Sequence, residues 1–416
     1  MNPFKDKFSA NVLDLVPNWK GLSVKPYSKL DTDPYTKERI ILMNGIEVEA
    51  AIFGHNFHRH CKDNELRRNI ALCRRMEQMQ QKRVNWMSPS DETTLETTIG
   101  YEQLAVDLTA CLAMRESDSY VKAAMDFALL EDFDHLYRYA NLLNMDGDVP
   151  AHALTLDMVE ITPGRPTISE HRSPLDTVFR PGRCKEMDLQ TTLGAMTLTA
   201  GEQQTMNFYM NVGNTLPEGY GRDLYQEIAM VEEEHVTQYG SLLDPTLSWL
   251  QMLLLHEYLE CYLYASFHET ETDPYVRDLW ADHYEQEVMH LHYAAELLEK
   301  HEGMHYSELV GEGDFPELLE LKPTKEYVRE VLAEQANYVT DREDYTSVER
   351  LPEDHEFFAW NAQVNGRTQD VPSHVVIREH VLKAGEDYRR EDEPSAVPEL
   401  RDRKKDNTDL GRTRRS

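Results

Sequence analysis

An internal repeat with a period of 155 residues sets the organisation of this chain. When residues 102–143 are aligned without a gap to residues 257–298, 13 of 42 positions are identical. The best-matched stretches pair ESDSYVK with ETDPYVR and HLYRYANLL with HLHYAAELL. Weaker matches extend the alignment towards the amino terminus. The repeat therefore predicts that the segments 36–143 and 191–298 share one structural plan.

Both repeated segments have the apolar periodicity of amphipathic helices and almost no strand signals. We predict eight helices, arranged as four helical hairpins, and hence an all-α fold. Asp244-Pro245 and Asp273-Pro274 each place a capping acceptor before a proline, which is typical of a helix start. The predicted breaks between helices fall at 61–64, 87–91, 116–119, 214–221, 240–244 and 270–273.

The remaining segments are irregular in composition. Proline, glycine and polar residues dominate 144–184, which predicts an extended linker or crossover rather than regular structure. The charged carboxyl terminus predicts a disordered tail. The resulting division is a 1–35 extension, a 36–143 repeat, the 144–184 linker, a 185–300 repeat, a 301–383 extension with one helix, and the 384–416 tail.

Charge and composition exclude several classes of protein. The chain of 416 residues carries 75 acidic and 43 basic side chains, a formal charge of −32, so a nucleic acid or an anionic membrane is not an expected partner. The amino terminus lacks a secretory pattern, and no apolar run is long enough to span a bilayer. We expect a soluble, cytoplasmic protein. Its five cysteines include no C-x-x-C pair, so they are read as reduced thiols.

Acidic and histidine residues recur at one spacing in all four hairpins. In each hairpin a carboxylate is followed 30 residues later by another, and 33 residues later by histidine or, once, by glutamine. The four sets in chain order are Glu47, Glu77 and Gln80; Glu102, Asp132 and His135; Glu202, Glu232 and His235; and Glu257, Glu287 and His290.

Helix geometry gives this spacing a chemical meaning. Residues three apart project from one helix face, so a Glu-x-x-His pair presents a carboxylate beside an imidazole. A hairpin of two helices brings a residue about thirty positions earlier to the opposite side of that pair. Two hairpins then supply four carboxylates and two imidazoles, which is a ligand set for two iron or manganese ions. The alternative is a set of exposed helix charges, but the two histidines at 235 and 290 lie among apolar residues.

On these residues the chain resembles the ferritin-like di-iron carboxylate superfamily, which includes ferritins, rubrerythrins, manganese catalases and bacterial di-iron oxidases. The resemblance covers about half of the chain, 36–143 and 185–300. It implies ferritin-like four-helix bundles with two iron ions, or alternatively manganese, at each dinuclear site. Glu260 resembles the additional glutamate of rubrerythrins. The implied metal ligands are Glu202, Glu232, His235, Glu257, Glu260, Glu287, His290, Glu102, Asp132 and His135, with Glu47 and Glu77 as weaker candidates.

Three departures from the family bear on the fold and the sites. Gln80 stands where a histidine is expected, which weakens or removes one metal position, and Asp132 is a shorter substitute for glutamate. The segment 240–244 is too short to carry the chain back along a bundle, whereas the family uses a long crossover there. We therefore favour pairing of hairpins across the two repeats over separate bundles. The second hairpin could pair with either the third or the fourth.

The resemblance implies a non-haem di-iron oxidoreductase that activates O2 or peroxide, with a small organic substrate also open. The chain lacks a rubredoxin-like segment, so it would need an external electron donor. The alternatives are manganese-catalase-like disproportionation of peroxide, metal storage or sequestration in a cage, and a scaffold that has lost its metal. A homodimer stays open as the assembly.

Overall fold

The computed structural model describes residues 1–7 and 12–412 and is mostly helical. Within these ranges the only paired strands form one short antiparallel hairpin, which confirms the all-α prediction. The helices are α1 Pro34–His60, α2 Asn64–Asn85, α3 Thr94–Ala113, α4 Ser119–Asp146, α5 Ala151–Thr155, α6 Thr167–Glu170, α7 Leu189–Val212, α8 Tyr220–Ser241, α9 Trp249–Thr270, α10 Pro274–Glu302, α11 Ser307–Val310, α12 Lys325–Gln335, α13 Glu356–Asn365 and α14 Pro372–Ala384, and the strands are β1 Tyr338–Asp341 and β2 Asp344–Ser347.

Side-chain caps explain where several helices begin. Asp273 accepts hydrogen bonds from the backbone N–H groups of Tyr275 and Val276, so α10 begins where the sequence predicts. The prediction for α9 was wrong, because that helix begins after Ser248, which forms a capping box with Gln251. Asp244 instead accepts hydrogen bonds within its own turn and from the backbone N–H of Cys184.

The described chain divides into two compact units. The first contains residues 1–90, 181–204 and 243–320. Here the hairpin α1–α2 packs with the hairpin α9–α10, so that α1 contacts α9 and α2 faces α10. Buried Glu271 ties the two hairpins together, because it accepts hydrogen bonds from Thr36, Arg39 and the Trp280 indole N–H.

The second unit contains residues 91–180, 205–242 and 321–416. The hairpin α3–α4 forms its centre, and α8, α12 and α14 pack against α4. Buried aromatic residues fill the core beside these helices, among them Tyr139, Tyr209 and Tyr225. The continuous helix α7 contributes residues to both units, which are divided after Gln204.

This division differs from the two sequence blocks 36–143 and 185–300. Each unit takes a hairpin from one block and a helix or hairpin from the other, so hairpins pair across the repeats. The turn between α8 and α9 spans only Leu242–Ser248, and the chain changes unit there. A turn of this length cannot return the chain along a helix of 22 residues, which is why neighbours in sequence are not partners in space.

The segments outside the repeats are more ordered than their composition predicts. The 144–184 linker contains α5 and α6, and the 301–383 region holds four helices and the β-hairpin rather than one helix. Up to residue 412, the predicted disordered tail packs on the second unit. Residue Arg390 exchanges two backbone hydrogen bonds with Ile161, and Asp406 pairs with buried Arg138 at 2.8 Å and with His374. The tail is ordered because it supplies counter-charges to the core.

No helix in the described ranges is both long enough and apolar enough to cross a bilayer.

Candidate metal centres

The second unit gathers acidic and imidazole groups from three helices into its interior. Helix α3 carries Glu102, α4 carries Asp132 and His135, and α8 carries Glu232 and His235. All five side chains are buried, with exposures of 1% or less. On α4 and α8 the carboxylate and the imidazole are three residues apart, as the sequence predicts.

Glu232 lies between the two imidazoles. His135 Nδ1 is 3.1 Å from Glu232 Oε1, and His235 Nδ1 is 3.4 Å from Glu232 Oε2. His135 Nδ1 is also 4.0 Å from Glu102 Oε2, and His235 Nδ1 is 3.3 Å from Asp132 Oδ1. Both imidazoles therefore direct Nδ1 towards one shared carboxylate. Ligand atoms of Glu102, His135 and Glu232 lie within 4.8 Å of one another, close enough to hold one metal ion.

The outer ring nitrogens face a second layer of carboxylates. His135 Nε2 is 2.9 Å from Glu170 Oε2, and His235 Nε2 is 2.7 Å from Glu131 Oε2. A carboxylate beside Nε2 keeps the proton on that nitrogen and leaves Nδ1 available to bind a metal. The same arrangement also fixes the orientation of each ring.

Residues from the linker complete this outer layer. Arg172 Nη1 donates to Glu131 at 2.8 Å, and Arg165 lies 3.6 Å from the same carboxylate. The linker reaches α4 at Gly164, where an added Cβ would lie 2.3 Å from the Leu130 carbonyl oxygen. Only a residue without a side chain permits this approach.

The pKa values of Glu232 and Glu102 are shifted in opposite directions. Burial alone would raise the pKa of Glu232, but the adjacent His135 and His235 outweigh burial and lower the pKa to about 2. Burial raises the pKa of Glu102 well above its usual value, although Tyr209 donates a hydrogen bond to it. A bound cation would offset the burial penalty at Glu102.

Glu202 is buried on α7. Residue 202 belongs to the part of that helix grouped with the first unit. The second unit contains Glu102, Asp132, His135, Glu232 and His235.

The first unit gathers six further predicted ligands from its four long helices. They are Glu47 on α1, Glu77 on α2, Glu257 and Glu260 on α9, and Glu287 and His290 on α10. Their ligand atoms form two overlapping groups, each within 4.8 Å. One group contains Glu257 and His290, and the other contains Glu47 and Glu260. Both groups include Glu77 and Glu287.

His290 is the sole imidazole among these six residues. Its Nδ1 is 3.1 Å from Glu77, 3.2 Å from Glu287 and 3.6 Å from Glu257. Its Nε2 faces the thioether sulfur of Met76 at 3.4 Å rather than a carboxylate. This ring is therefore held less firmly than those of the second unit.

Gln80 occupies the position at which the repeat predicts histidine. Its amide Nε2 donates a hydrogen bond to Glu287 Oε1, and its Oε1 is buried without a hydrogen-bond partner among the described residues. On the opposite side, Tyr264 donates a hydrogen bond to Glu47, and His283 Nδ1 lies 3.0 Å from the same hydroxyl.

Five carboxylates share this buried cluster with one imidazole. Burial raises the pKa of Glu47, Glu257 and Glu260 well above the usual value, and repulsion from Glu77 adds to the effect. Such a cluster needs a positive partner, and oxygen and imidazole donors at these separations fit divalent cations. These buried groups could therefore hold a metal ion.

Sequence reasoning missed the outer layer of the second unit. Glu131 is adjacent in sequence to Asp132, but nothing in its spacing marks it. Glu170 and Arg172 belong to a linker whose path is set by tertiary packing. The partners of two histidines near the first unit's ligands were also not apparent from sequence: His256 pairs with Glu49 at 3.0 Å, and His283 Nδ1 lies 3.0 Å from the Tyr264 hydroxyl.

Comparisons with known proteins identify no family for this chain. No family model, curated protein or solved structure matches the chain.

Proposed function

We propose that the chain is a ferritin-like, non-haem di-iron oxidoreductase that acts on O2 or peroxide. The observation that carries this proposal is the arrangement in the second unit. Two buried imidazoles direct Nδ1 towards a shared Glu232 and are anchored through Nε2 by Glu170 and Glu131. Paired hairpins with carboxylates and Glu-x-x-His pairs are the ligand pattern of that superfamily.

The chain's own residues have distinct tasks in this proposal. Glu102, Asp132, His135, Glu232 and His235 would hold metal in the second unit, and the six clustered residues of the first unit would do so there. Iron bound at such carboxylate and imidazole donors supplies the electrons for reducing O2 or peroxide. The outer carboxylates Glu170 and Glu131 hold the imidazole rings in place through Nε2, and burial excludes bulk water from the cluster.

The electrons must be renewed from outside the chain, because no C-x-x-C pair or rubredoxin-like segment is present in the sequence. A separate reductase is therefore part of the proposal. A manganese-catalase-like activity needs no reductase and could use the same donors, since carboxylates and imidazole also bind manganese. Storage in a cage requires a large assembly, which size-exclusion chromatography detects.

Iron loading tests the proposal. The wild type is loaded anaerobically with Fe²⁺ and then exposed to air or peroxide, while oxidant consumption and near-ultraviolet charge-transfer absorption are recorded. We expect bound iron, the absorption and accelerated consumption in the wild type, and reduced iron content in His235→Ala and His290→Ala. His292→Ala is the matched control, because this half-buried histidine contacts the Pro3 carbonyl and no carboxylate of the cluster.

Three results would contradict the proposal. Protein that binds iron without accelerating oxidant consumption is not an oxidoreductase of this kind. Peroxide disproportionation by manganese-loaded protein alone would favour the catalase alternative. Equal iron content in the wild type, His235→Ala and His290→Ala would exclude the clusters as the metal sites.

A further inference from the structure

The hairpin α1–α2 carries a basic segment in an otherwise acidic chain. Between positions 55 and 83 there are eight lysine or arginine residues and three acidic ones, although the whole chain has a formal charge of −32. One of the three acids is the buried candidate ligand Glu77. Five arginines at the end of α1 and along α2, which we call the arginine surface, are Arg59, Arg67, Arg68, Arg74 and Arg75.

Four of these arginines form two adjacent rows on α2. Arg67 and Arg74 are seven residues apart and therefore share one side of the helix, and Arg68 and Arg75 form the next row. The first row reaches α1, because Arg67 Nη2 lies 3.0 Å from His58 Nε2. The two helices thus present their basic side chains on one continuous surface.

The arginine surface has no counter-charge of its own. None of its five arginines forms an ion pair in the described part of the chain. The two surface carboxylates of this segment have other partners, because Asp63 caps the start of α2 and Glu65 lies 3.2 Å from Lys300. Arg68 and Arg75 are exposed and make no side-chain hydrogen bond with any described residue. An uncompensated positive surface therefore faces the solvent.

Two histidines report the positive potential of this surface. Burial and the charges of Arg74 and Arg59 lower the pKa of His55. Burial, Arg67 and Arg74 likewise lower the pKa of His58, whose Nδ1 is buried without a hydrogen-bond partner among the described residues. A negatively charged group bound here would remove the repulsion that these side chains exert on one another.

The arginine surface lies across a single helix from the metal-binding cluster of the first unit. Arg68 and Arg75 are nine and two residues from Glu77, which places them on the opposite side of α2 from that candidate ligand. An α-helix with its side chains is about 10–12 Å across. A redox group held against this surface would therefore be separated from the cluster by one helix, a short path for electron transfer.

The size and charge of the surface select the class of partner. Each row spans seven residues of α2, or about 10 Å, which is wider than one phosphate or carboxylate group. A long polyanion such as DNA or an anionic membrane would be repelled by the acidic remainder of the chain. An acidic protein of limited contact area fits better, and electron carriers bind through small surfaces of complementary charge.

We propose that the arginine surface is the docking site of an acidic electron-carrier protein that reduces the centre of the first unit. This inference rests on the proposed function, which requires an external electron donor. Each docked one-electron carrier loses one electron and the centre gains it. Two docking events then restore the two electrons that reduction of one peroxide to two waters consumes, with two protons taken from the solvent.

Calorimetric titration tests docking without measuring activity. The full-length chain is titrated with two acidic one-electron carriers in their oxidised forms, a plant-type [2Fe–2S] ferredoxin and a flavodoxin. We expect micromolar binding of at least one of them in ~0.01 M salt. Binding should weaken at least about tenfold in ~0.15 M salt, because the screening length falls from ~30 Å to ~8 Å.

Charge variants locate the docking site. The double variant Arg68→Glu with Arg75→Glu breaks no side-chain contact of the described chain and should weaken binding by on the order of tenfold or more. Arg68→Lys with Arg75→Lys keeps the charge and should bind nearly as tightly as the wild type. Arg277→Glu is the matched control, because this exposed arginine of α10 also forms no ion pair with the described residues but lies outside the surface.

Several outcomes would overturn the docking assignment and leave the proposed function standing. They are the absence of salt-sensitive binding of both carriers, and equal weakening by Arg277→Glu and by the double charge reversal. Displacement of the carrier by inorganic phosphate at constant ionic strength would assign the surface to a small anion instead. Self-association of the wild type that the double reversal abolishes would assign it to a second copy. A wild type that binds no iron would overturn the proposed function itself, whatever the carriers do.

Discussion

Removal of the Glu170 carboxylate should weaken metal binding in the second unit without removing any ligand. Glu170 Oε2 lies 2.9 Å from His135 Nε2, and both groups are buried. In Glu170→Ala the imidazole loses the group that fixes its orientation and proton position. Loss of such an outer partner lowers metal affinity by about 10–100-fold, which corresponds to about 1.4–2.8 kcal/mol. The estimate agrees with the roughly 1–3 kcal/mol cost of an unpaired buried polar group.

The assay is a competition titration of apo-protein with Fe²⁺ or Mn²⁺ against a chelator, in a His290→Ala background that weakens the other centre. Glu170→Gln should recover part of the affinity, because its amide oxygen can still accept a hydrogen bond from Nε2. Glu160→Gln is the matched control. Glu160 is a buried carboxylate of the same linker, but it pairs with Arg329 at 3.0 Å and contacts no candidate ligand.

The comparison of the two variants shows whether Glu170 orients a metal ligand or only stabilises the fold of the linker. If Glu170→Ala binds metal as tightly as its parent, Glu170 does not support the site. If Glu160→Gln loses the same affinity as Glu170→Ala, the effect comes from loosening of the linker and the reasoning is refuted.

Three further predictions concern stability. Gly164→Ala should cost about 1–3 kcal/mol in thermal or denaturant unfolding, because its Cβ would clash with the α4 backbone, whereas Gly221→Ala, with its nearest contact at 3.5 Å, should not destabilise. Burial would raise the pKa of Asp406, but Arg138 outweighs it and holds the pKa well below the usual value. This stabilisation is complete above the unfolded pKa near ~4 and is lost as pH falls below it, so the difference in unfolding free energy between wild type and Asp406→Asn should shrink in acid. Glu271→Ala, which removes the carboxylate partner of buried Arg39, should cost about 3–5 kcal/mol, measured by chemical denaturation.

The local chemistry of the candidate sites could be predicted from sequence. The spacing of 30 and 33 residues depends only on helix periodicity and hairpin length, and both are local properties. The exchange of histidine for glutamine at position 80 was visible in the repeat alignment. Its structural role, as a hydrogen-bond donor to Glu287, was not, because that contact joins α2 to α10.

Composition misled the interpretation of the segments outside the repeats. The linker and the carboxyl-terminal segment are rich in charge, proline or glycine, which is typical of irregular or disordered chain. Here their charges are buried against opposite charges on α4, as in the pairs Arg172 with Glu131 and Asp406 with Arg138. A charged residue that is paired in this way can be buried in the core. Composition does not reveal the pairing, because the partner lies far away in the sequence.

The sequence by itself determined the eight long helices of the repeated segments, the repeat itself, and which side chains share a helix face, because these depend on neighbours within a few turns. Only the tertiary structure decided which hairpins pair, and hence that Glu77 and Glu287 come together in one unit and Asp132 and Glu232 in the other. The physical reason is that pairing depends on loop reach and on burial of surfaces from distant parts of the chain. The same long-range packing brought Glu170 to His135, a contact that no local pattern encodes.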